Sequence, residues 1–456
     1  MTTLIAIIGL GISCLLFEIL NLRKFIVPFA IIGLLALLGL TISAYGTQSS
    51  YYNNMIVVDN FSTAFSSLFI ILTIFLVALG HEFYKNKPGN ISDFIAIKIF
   101  LLSGAVALVS FGNLSMFFLG IEVLSIALYV LAASDRLSIK SNEAGLKYFL
   151  MGSFASGILL FGICLIYGAM GTFDIQEISE LSHSAELPSW FFIGIVLMSI
   201  GMLFKIAAVP FHFWAPDVYE GAPALTTATM STLAKVVAIA ALYKLLITMN
   251  ADLSYAFQMV IVVISIASMT VGNIMALMQS NVKRMLAFSG ISHAGFMLMA
   301  LLSSTSSAGS LLYYTMAYSL AGIAAFSVLL FVCANKDNQE IENFNGLGAS
   351  KPILAAVLTA SLLSMAGIPI FAGFFAKFML FNQTIQAGYL VVVIAAVINS
   401  IISVGYYFKL IIAMYTKEPN QENQAVPFVI NAVSVIAIVL NILIGLFPST
   451  VVSLLG

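Results

Sequence analysis

Residues 204–211 read FKIAAVPF, so a lysine and a proline stand inside an otherwise apolar run. A second stretch, residues 364–371, reads SMAGIPIF and again has a proline near its middle. Proline removes a helix hydrogen bond and kinks or breaks the helix. Unwound backbone at membrane depth is tolerated where it is buried in protein or lines a wet cavity, and paired broken helices indicate a transport site. The two stretches therefore predict an internal repeat with a broken helix in each half.

The whole chain has the composition of a membrane protein. Its 456 residues are 61% hydrophobic and 8% charged, and the mean hydropathy is +1.09. A soluble domain carries about 25% charged residues, so most of this surface cannot face water. The net charge of -1 argues against a nucleic-acid or polybasic surface role. Cys14, Cys164 and Cys333 stand in apolar runs without a CxxC pair, which favours core packing over metal sites or disulfides.

Apolar runs separated by polar or Gly/Pro-rich stretches predict about fourteen transmembrane helices, each about 20 residues long. The spans are expected near residues 3–21, 26–45, 60–80, 93–110, 113–133, 144–170, 189–213, 223–247, 256–278, 285–302, 308–334, 352–382, 387–415 and 427–449. The first run is followed, not preceded, by Arg23 and Lys24, so it is interpreted as a span and not as a cleaved signal peptide. The sequence thus predicts an all-α integral membrane protein.

Positive charge alternates along the predicted loops. It follows the odd-numbered spans, at Arg23, Lys24, Lys85, Lys87, Arg136, Lys140, Lys283, Arg284, Lys336, Lys351 and Lys417. The long even loop 171–188 carries four acidic residues, the last of them Glu186, and no positive one. Cytoplasmic loops are enriched in lysine and arginine, so both termini are predicted to lie on the outer side of the membrane. Lys244, near the outer end of span 8, is interpreted as a snorkelling lysine.

Four ionisable side chains lie deep within the predicted spans. They are Glu122 in span 5, Lys205 in span 7, Lys235 in span 8 and Lys377 in span 12. Each such charge costs about 2.5–3.5 kcal/mol at a helix centre, and intramembrane charges are functional by default. Burial disfavours the charged form of an amine, and a nearby carboxylate opposes this effect, so movement of one acid can load or empty a lysine. We predict a proton path through these residues; a structural salt bridge between Glu122 and Lys205 is the alternative.

Other residues are candidates for proton relay. His293 in span 10 and His212 after Pro210 have the side chain that most readily exchanges protons near neutral pH. His212 is equally consistent with a cap at the membrane interface. Lys147, near the start of span 6, is interpreted as lining a cytoplasmic access route, with snorkelling as the alternative. Lys98, near the inner end of span 4, is expected to snorkel.

Several stretches resemble one known family. Residues 204–223 read FKIAAVPFHFWAPDVYEGAP, residues 120–125 read GIEVLS, and residues 281–289 read NVKRMLAFS. Residues 292–295 read SHAG, and residues 366–378 contain AGIP followed by GFFAKF. With these motifs the chain resembles the antiporter-like membrane subunits of respiratory complex I over nearly its whole length. The span 5 motif resembles the subunit N branch, since a tryptophan usually precedes this acid in subunits M and L.

The resemblance implies a fold of about fourteen helices with two inverted five-helix repeats, at spans 4–8 and 9–13. The chain then divides into N-terminal helices at 1–92, a first repeat at 93–248, a second repeat at 249–415 and a C-terminal helix at 416–456. The resemblance also implies that Glu122 and Lys205 are a coupling pair, Lys235 the central relay and Lys377 the outward-side relay. Lysine at position 377 is as in subunits N and L, where subunit M usually has glutamate.

The same resemblance implies a non-redox, proton-translocating subunit of a bacterial NADH–quinone oxidoreductase. It implies a place in the inner membrane beside the antiporter-like subunit M and the small subunits K and J. No cofactor is expected in this chain, because NADH, FMN, iron–sulfur clusters and quinone would bind other subunits. Two other functions stay open: a stand-alone or multisubunit cation/proton antiporter and a purely structural membrane scaffold. The deep lysines argue against the scaffold.

Overall fold

The structure is a computed structural model that describes residues 1–84, 91–184, 187–249, 255–303, 307–334, 336, 338–418 and 425–455. Lys85, Lys87 and Glu186, which contribute to the predicted orientation, lie outside these residues. The chain is almost entirely helical, as the apolar runs predict.

The helices of the described residues are numbered in chain order. They are α1 (Thr2–Ile19), α2 (Ile26–Ile42), α3 (Asn60–Tyr84), α4 (Ile91–Val109), α5 (Leu114–Ala132), α6 (Ile139–Met170), α7 (Ile175–Ser184), α8 (Ser189–Lys205), α9 (Trp214–Gly221), α10 (Ala224–Thr229), α11 (Lys235–Thr248), α12 (Tyr255–Leu277), α13 (Val282–Leu298), α14 (Ala308–Val332), α15 (Leu347–Ser350), α16 (Pro352–Ala366), α17 (Ala372–Gln386), α18 (Leu390–Thr416), α19 (Phe428–Leu446) and α20 (Ser449–Val452). A short antiparallel hairpin of β1 (Ser49–Tyr51) and β2 (Ile56–Val58) joins α2 to α3.

Within the described part of the chain, twelve helical segments are long and apolar enough to cross a membrane. The apolar helices α8 and α16 are shorter, because each belongs to a span that is interrupted. An all-α membrane protein is therefore confirmed, while the total of about fourteen crossings stays a prediction. The hairpin and the amphipathic helix α7, which lies in the predicted outer loop 171–188, were not expected from the apolar runs.

Both predicted helix breaks are present. Helix α8 ends at Lys205 and α9 begins at Trp214, while α16 ends at Ala366 and α17 begins at Ala372. Each break starts with a residue in the left-handed region, Ala207 (φ 58°) and Gly367 (φ 90°). The following amide then bonds back five residues, over 2.9 Å from Ala208 to the Leu203 carbonyl and over 3.0 Å from Ile368 to the Leu363 carbonyl. This is the usual left-handed helix stop, with a proline soon after it.

A third irregularity interrupts the helix that contains Lys235. Residues Met230–Ala234 form a π-helical turn between α10 and α11. Single π turns within α-helices widen the backbone locally and are frequent at functional sites. This turn could not be predicted from the sequence, because no proline or glycine occurs between residues 224 and 234.

The most buried helices form the centre of the bundle. In the most apolar window of α14, 94% of residues are buried, and the value is 89% both for Ala224–Thr248 and for Val282–Leu301. The windows of α1 and α2 are only 22% and 33% buried, so these helices lie at the edge. A helix that is apolar on all sides belongs in the interior of a protein or in a membrane. Lys235 and His293 therefore lie on the central helices, as the predicted path requires.

Candidate functional site

Lys205 is the last residue of α8 and is 7% exposed. Its ammonium group donates to the Ser125 hydroxyl over 2.7 Å and to the Tyr129 hydroxyl over 3.0 Å. Ser125 and Tyr129 are one turn apart on α5, so both side chains lie on one face of that helix. The break after Lys205 is fixed nearby, since the Trp214 indole donates to the Phe204 carbonyl over 3.0 Å.

Glu122 is half-buried and precedes Ser125 by one turn on the same helix. Its Oε1 atom is buried and has no hydrogen-bond partner in the described part of the chain. Among the described residues, to which both belong, Glu122 and Lys205 form no direct ion pair within 4.0 Å. Lys205 is held by neutral hydroxyls instead. This arrangement disfavours the purely structural salt bridge, and the coupling of the two residues stays a prediction.

Lys235 begins α11, directly after the π-helical turn, and is 2% exposed. Its ammonium nitrogen is buried and has no hydrogen-bond partner among the described residues. It points at Gly290 on α13, where a Cβ atom would lie only 2.8 Å from the nitrogen and 3.1 Å from the Tyr318 hydroxyl. Gly290 thus leaves the space that the amine occupies. Buried polar groups are normally satisfied, so this position calls for a bound water or an exchanging proton.

His293 on α13 contacts tyrosine side chains of α14 and α18. Its Nδ1 atom is 2.8 Å from the Tyr314 hydroxyl, and its Nε2 atom is 3.4 Å from the Tyr407 hydroxyl. The ring also contacts Tyr318, with 4.7 Å between the centroids, and the Tyr318 hydroxyl is 3.1 Å from Ser231. Lys235 and Lys377 are both close enough to interact electrostatically with His293. The structure therefore brings together Lys235, His293 and Lys377.

Lys377 lies on α17 and is 5% exposed. Its ammonium group donates to the carbonyl of Ala366, the last residue of α16, over 2.9 Å. The final carbonyls of a helix lack intrahelical partners and carry partial negative charge, so the broken helix provides a natural site for a cation. The amine also lies 4.7 Å from the centroid of the Phe296 ring.

A small cavity connects Lys377 with the histidine. Its lining includes His293, Tyr314, Tyr318 and Lys377. The space open to the centre of a water-sized sphere is about 10 Å³, roughly what one water molecule requires. The polar groups that a water here could reach are hydroxyls, the imidazole and the amine, and the rest of the lining is apolar.

Comparison with known proteins places this site in a family. A family model described as "NADH:quinone oxidoreductase/Mrp antiporter, TM" matches residues 112–403, more than half of the chain. The chain belongs to this family. The NADH-quinone oxidoreductase subunit N proteins of Flavobacterium johnsoniae and Flavobacterium psychrophilum are 74% and 65% identical to it, and each match covers 100% of both chains. The predicted family resemblance is confirmed.

Solved structures agree with this assignment. A chain of respiratory complex I from Thermus thermophilus, solved with bound aureothin, is 29% identical with a TM-score of 0.86, over 100% of this chain and 99% of that one. A chain of the Mrp complex from Dietzia sp. is 20% identical with a TM-score of 0.89, over 100% of this chain and 96% of that one. The second likeness concerns the fold alone.

Among the described residues, the predicted proton path is interrupted between Lys205 and Lys235. No hydrogen bond between described side chains joins Lys205 to Lys235. The hydroxyl partners of Lys205 are on α5, whereas Lys235 faces α13 and α14 through Gly290 and Tyr318. A continuous lateral path therefore needs water in the first half of the chain, and it stays a prediction there.

The weaker relay candidates occupy different places. His212 is 7% exposed and lies in the break between α8 and α9 against the Phe213 ring, which is compatible with either predicted role. Lys147 has a 43% exposed side chain and pairs with Glu143 over 2.6 Å and with Asp217 over 3.4 Å. It belongs to a surface ion cluster, apart from the buried lysines.

This ion cluster links α9 to α13. Arg284 contacts Asp217 over 2.8 Å and Glu220 over 3.0 Å. Burial alone would raise the pKa of the Asp217 carboxyl, but the hydrogen bond and charge of Arg284 outweigh it and hold the pKa below its usual value. A lowered carboxyl pKa contributes stability above the ordinary pKa that is lost as the pH falls through the lowered one.

Two lysine predictions and one cysteine prediction were wrong. Lys98 is 2% exposed and does not snorkel. Lys244 does not snorkel either, because it pairs with Asp59 over 3.5 Å and donates to the Val109 carbonyl over 2.8 Å. Cys164 is exposed on α6 and so does not pack in the core, whereas Cys14 and Cys333 are buried. Hydropathy alone cannot tell which face of a span looks inward.

Sequence reasoning missed the neutral partners of the site. Ser125, Tyr129, Tyr314, Tyr318 and Tyr407 all contact the lysines or His293. Tyrosines are common in spans as packing residues, so nothing in the sequence singled these out. Asn441 is different: it is buried in α19 and bonds Ser364 and the Ala317 carbonyl, and an asparagine inside an apolar run was a visible signal.

Proposed function

We propose that this chain is the proton-translocating, non-redox membrane subunit of an NADH–quinone oxidoreductase, in the position that subunit N occupies. The buried group of Lys235, His293 and Lys377 carries the proposal, because ionisable side chains are rare inside membrane spans unless they serve a function. The names of the Flavobacterium relatives support the assignment to such a complex. Nucleotide, flavin and quinone chemistry then belongs to other subunits.

Proton transfer would run through neutral partners between the lysines. A neutral imidazole has one donor and one acceptor nitrogen, so His293 can accept a proton at one nitrogen and release another at the opposite one. The water-sized cavity offers the step between His293 and Lys377. Lys377 is stabilised in its charged form by the Ala366 carbonyl, so release from it requires that α16 and α17 shift relative to each other. The broken helices are the elements that permit such a shift.

In this function the chain lies in the inner membrane with both termini outside, beside subunits of types M, K and J. The halves 93–248 and 249–415 would be inverted repeats, and 1–92 and 416–456 flanking helices. The shared left-handed stop before Pro210 and before Pro369 supports the repeat. Superposition of α8–α9 on α16–α17 after inversion through the membrane plane tests it.

A cation/proton antiporter is the second candidate, because the family description names both classes. The two functions differ in their partners. The tagged chain, purified from native membranes in mild detergent, should carry subunits with flavin and iron–sulfur absorbance. Recovery with antiporter-type subunits alone, without redox absorbance, would favour the antiporter.

Orientation can be tested by labelling. In a background with Cys14, Cys164 and Cys333 replaced, a cysteine at the exposed Gln176 on α7 should react with an impermeant maleimide from the outer side. A cysteine at Leu137, which is 86% exposed between α5 and α6, should react only after the membrane is opened. The reverse pattern would overturn the orientation predicted from the positive charges.

Glu122→Ala should reduce proton pumping while the complex still assembles. Removal of the half-buried carboxylate takes away a negative charge that interacts electrostatically with Lys205, and with it the proposed switch that loads the lysine. Proton uptake per NADH oxidised, measured in inverted membrane vesicles, reports the change.

The matched control is Glu418→Ala, because Glu418 is an exposed acid beyond the end of α18. It should pump like the unmodified protein. Normal pumping by the Glu122→Ala vesicles would remove Glu122 from the mechanism and leave Lys205 without a coupling partner.

A further inference from the structure

Lys98 is a buried amine that the path described above does not use. It lies on α4 and is 2% exposed, and within the described part of the chain its one hydrogen bond is to the Leu76 carbonyl over 3.4 Å. Among the described residues no carboxylate pairs with it. An unpaired charge at this depth is costly, and such residues are rare unless they serve a function.

Residues of α3 and α10 lie close to the Lys98 amine. At Gly80 on α3, a Cβ atom would be 3.6 Å from the Lys98 nitrogen and 3.6 Å from Leu225 on α10. The Tyr84 ring lies 5.2 Å from the nitrogen, and the buried Tyr84 hydroxyl has no hydrogen-bond partner among the residues that the structure describes. A buried hydroxyl and a buried amine that are both under-bonded point to a site where water or a proton is exchanged.

Lys98 lies close to one end of α4. It follows the first residue of α4 by seven positions, which is about 10 Å along a helix. Leu225 is followed by five buried hydroxyl residues, Thr226, Thr227, Thr229, Ser231 and Thr232. The four threonines donate to backbone carbonyls and Ser231 bonds the Tyr318 hydroxyl, so a proton path along this segment needs water between the side chains. This segment passes through the π-helical turn and ends at Lys235, about 15 Å farther along. Thr229 is one turn above Leu225, so it faces the same side of the helix.

We propose that Lys98 is a proton-uptake residue that loads Lys235 from the predicted cytoplasmic ends of α3, α4 and α10. A proton leaves cytoplasmic water and binds the free amine of Lys98. It then passes by way of hydroxyls and intervening water to the free amine of Lys235, and Lys98 returns to its neutral form. Each hydroxyl or water on the way accepts one proton and releases another, so it ends unchanged. This role rests on the proposed proton-translocating function and deepens it.

A packing role explains the site less well. A cation held over Tyr84 would need no deprotonation, but methionine or leucine would fill the same volume without the desolvation cost. Arginine distinguishes the two roles, since a guanidinium stays charged in proteins. It preserves a structural cation and removes a proton carrier.

The test uses the assembled complex in inverted membrane vesicles. Lys98→Met and Lys98→Arg should both lower proton uptake per NADH oxidised, towards the level of a Lys235→Met benchmark, with normal subunit content. Lys409→Met is the control, because Lys409 is an exposed membrane-helix lysine that donates to the Gln279 carbonyl. It should pump normally. Thr229→Val, which removes one hydroxyl at nearly constant volume, should lower pumping without loss of assembly.

These measurements distinguish failure of the Lys98 uptake role from failure of the proposed function. Full pumping by Lys98→Met, or rescue by arginine together with loss in methionine, would overturn the uptake role while the benchmark still supports the function. Normal pumping by the Lys235→Met benchmark itself would count against the proposed function. If a Lys98 variant is absent from the membranes, Thr229→Val decides, and full pumping by that variant overturns the proposal.

Discussion

Replacement of Lys235 by methionine is expected to stop proton transfer through this chain while the protein still folds. Methionine keeps the length of the side chain, and it removes a buried charge that costs about 2.5–3.5 kcal/mol at a helix centre. The Lys235 ammonium has no hydrogen-bond partner within the described protein, so its removal orphans no other group. Stability should therefore be unchanged or increased, while the link to Tyr318 and His293 is lost.

Proton uptake per NADH oxidised and the content of the chain in membranes are the two measurements. Lys140→Met serves as the matched control, since Lys140 is exposed at the start of α6. A Lys235→Met complex that pumps as well as this control would remove the central relay from the mechanism. Loss of the chain from the membrane would instead show that the charge stabilises the fold.

The residues that were recognised from the sequence share one property: each is unfavourable inside a membrane-spanning helix. A lysine in a span, as at 205, 235 and 377, is visible without any structure because the membrane penalises it. The prolines at 210 and 369 are visible for the same reason, since they cannot continue a helix hydrogen-bond pattern. Both kinds of signal predicted the breaks and placed two lysines near them, as the structure has them.

The residues that it missed fit their surroundings. Tyr318 in a span is indistinguishable from a packing tyrosine until α14 is seen against His293. Gly290 is one of 32 glycines, and only its approach to the Lys235 nitrogen distinguishes it. Lys98 was visible but misjudged, because depth along the chain does not say whether a helix face meets lipid or protein. Those facts depend on tertiary packing, which no local pattern encodes.

The packing at the second helix break leads to the largest expected effect on stability. Gly373, in the first turn of α17, lies so close to α16 that a Cβ atom there would overlap the Ser364 carbonyl oxygen. Ser364 cannot easily move away, because its hydroxyl bonds Asn441 over 2.9 Å and receives the Gly373 amide over 3.3 Å. Asn441 in turn bonds the Ala317 carbonyl on α14.

Gly373→Ala should therefore destabilise the chain by about 1–3 kcal/mol or more, the usual cost of forcing atoms into a packed interior. The shift would also separate Lys377 from the Ala366 carbonyl that holds it, so the protein that remains should pump less per NADH oxidised. Content of the chain in membranes, thermal stability of the purified complex and proton uptake measure these effects.

Gly157→Ala is the control, because Gly157 lies within α6 and a Cβ there would meet nothing within 4 Å. Alanine is favoured over glycine inside a helix by about 1 kcal/mol, so this variant should be at least as stable as the unmodified protein. A Gly373→Ala chain with the stability and pumping of Gly157→Ala would show that the break between α16 and α17 is loose. The Ala366 carbonyl would then be no fixed site for the Lys377 charge, and Lys377 would not need movement of the break to release its proton.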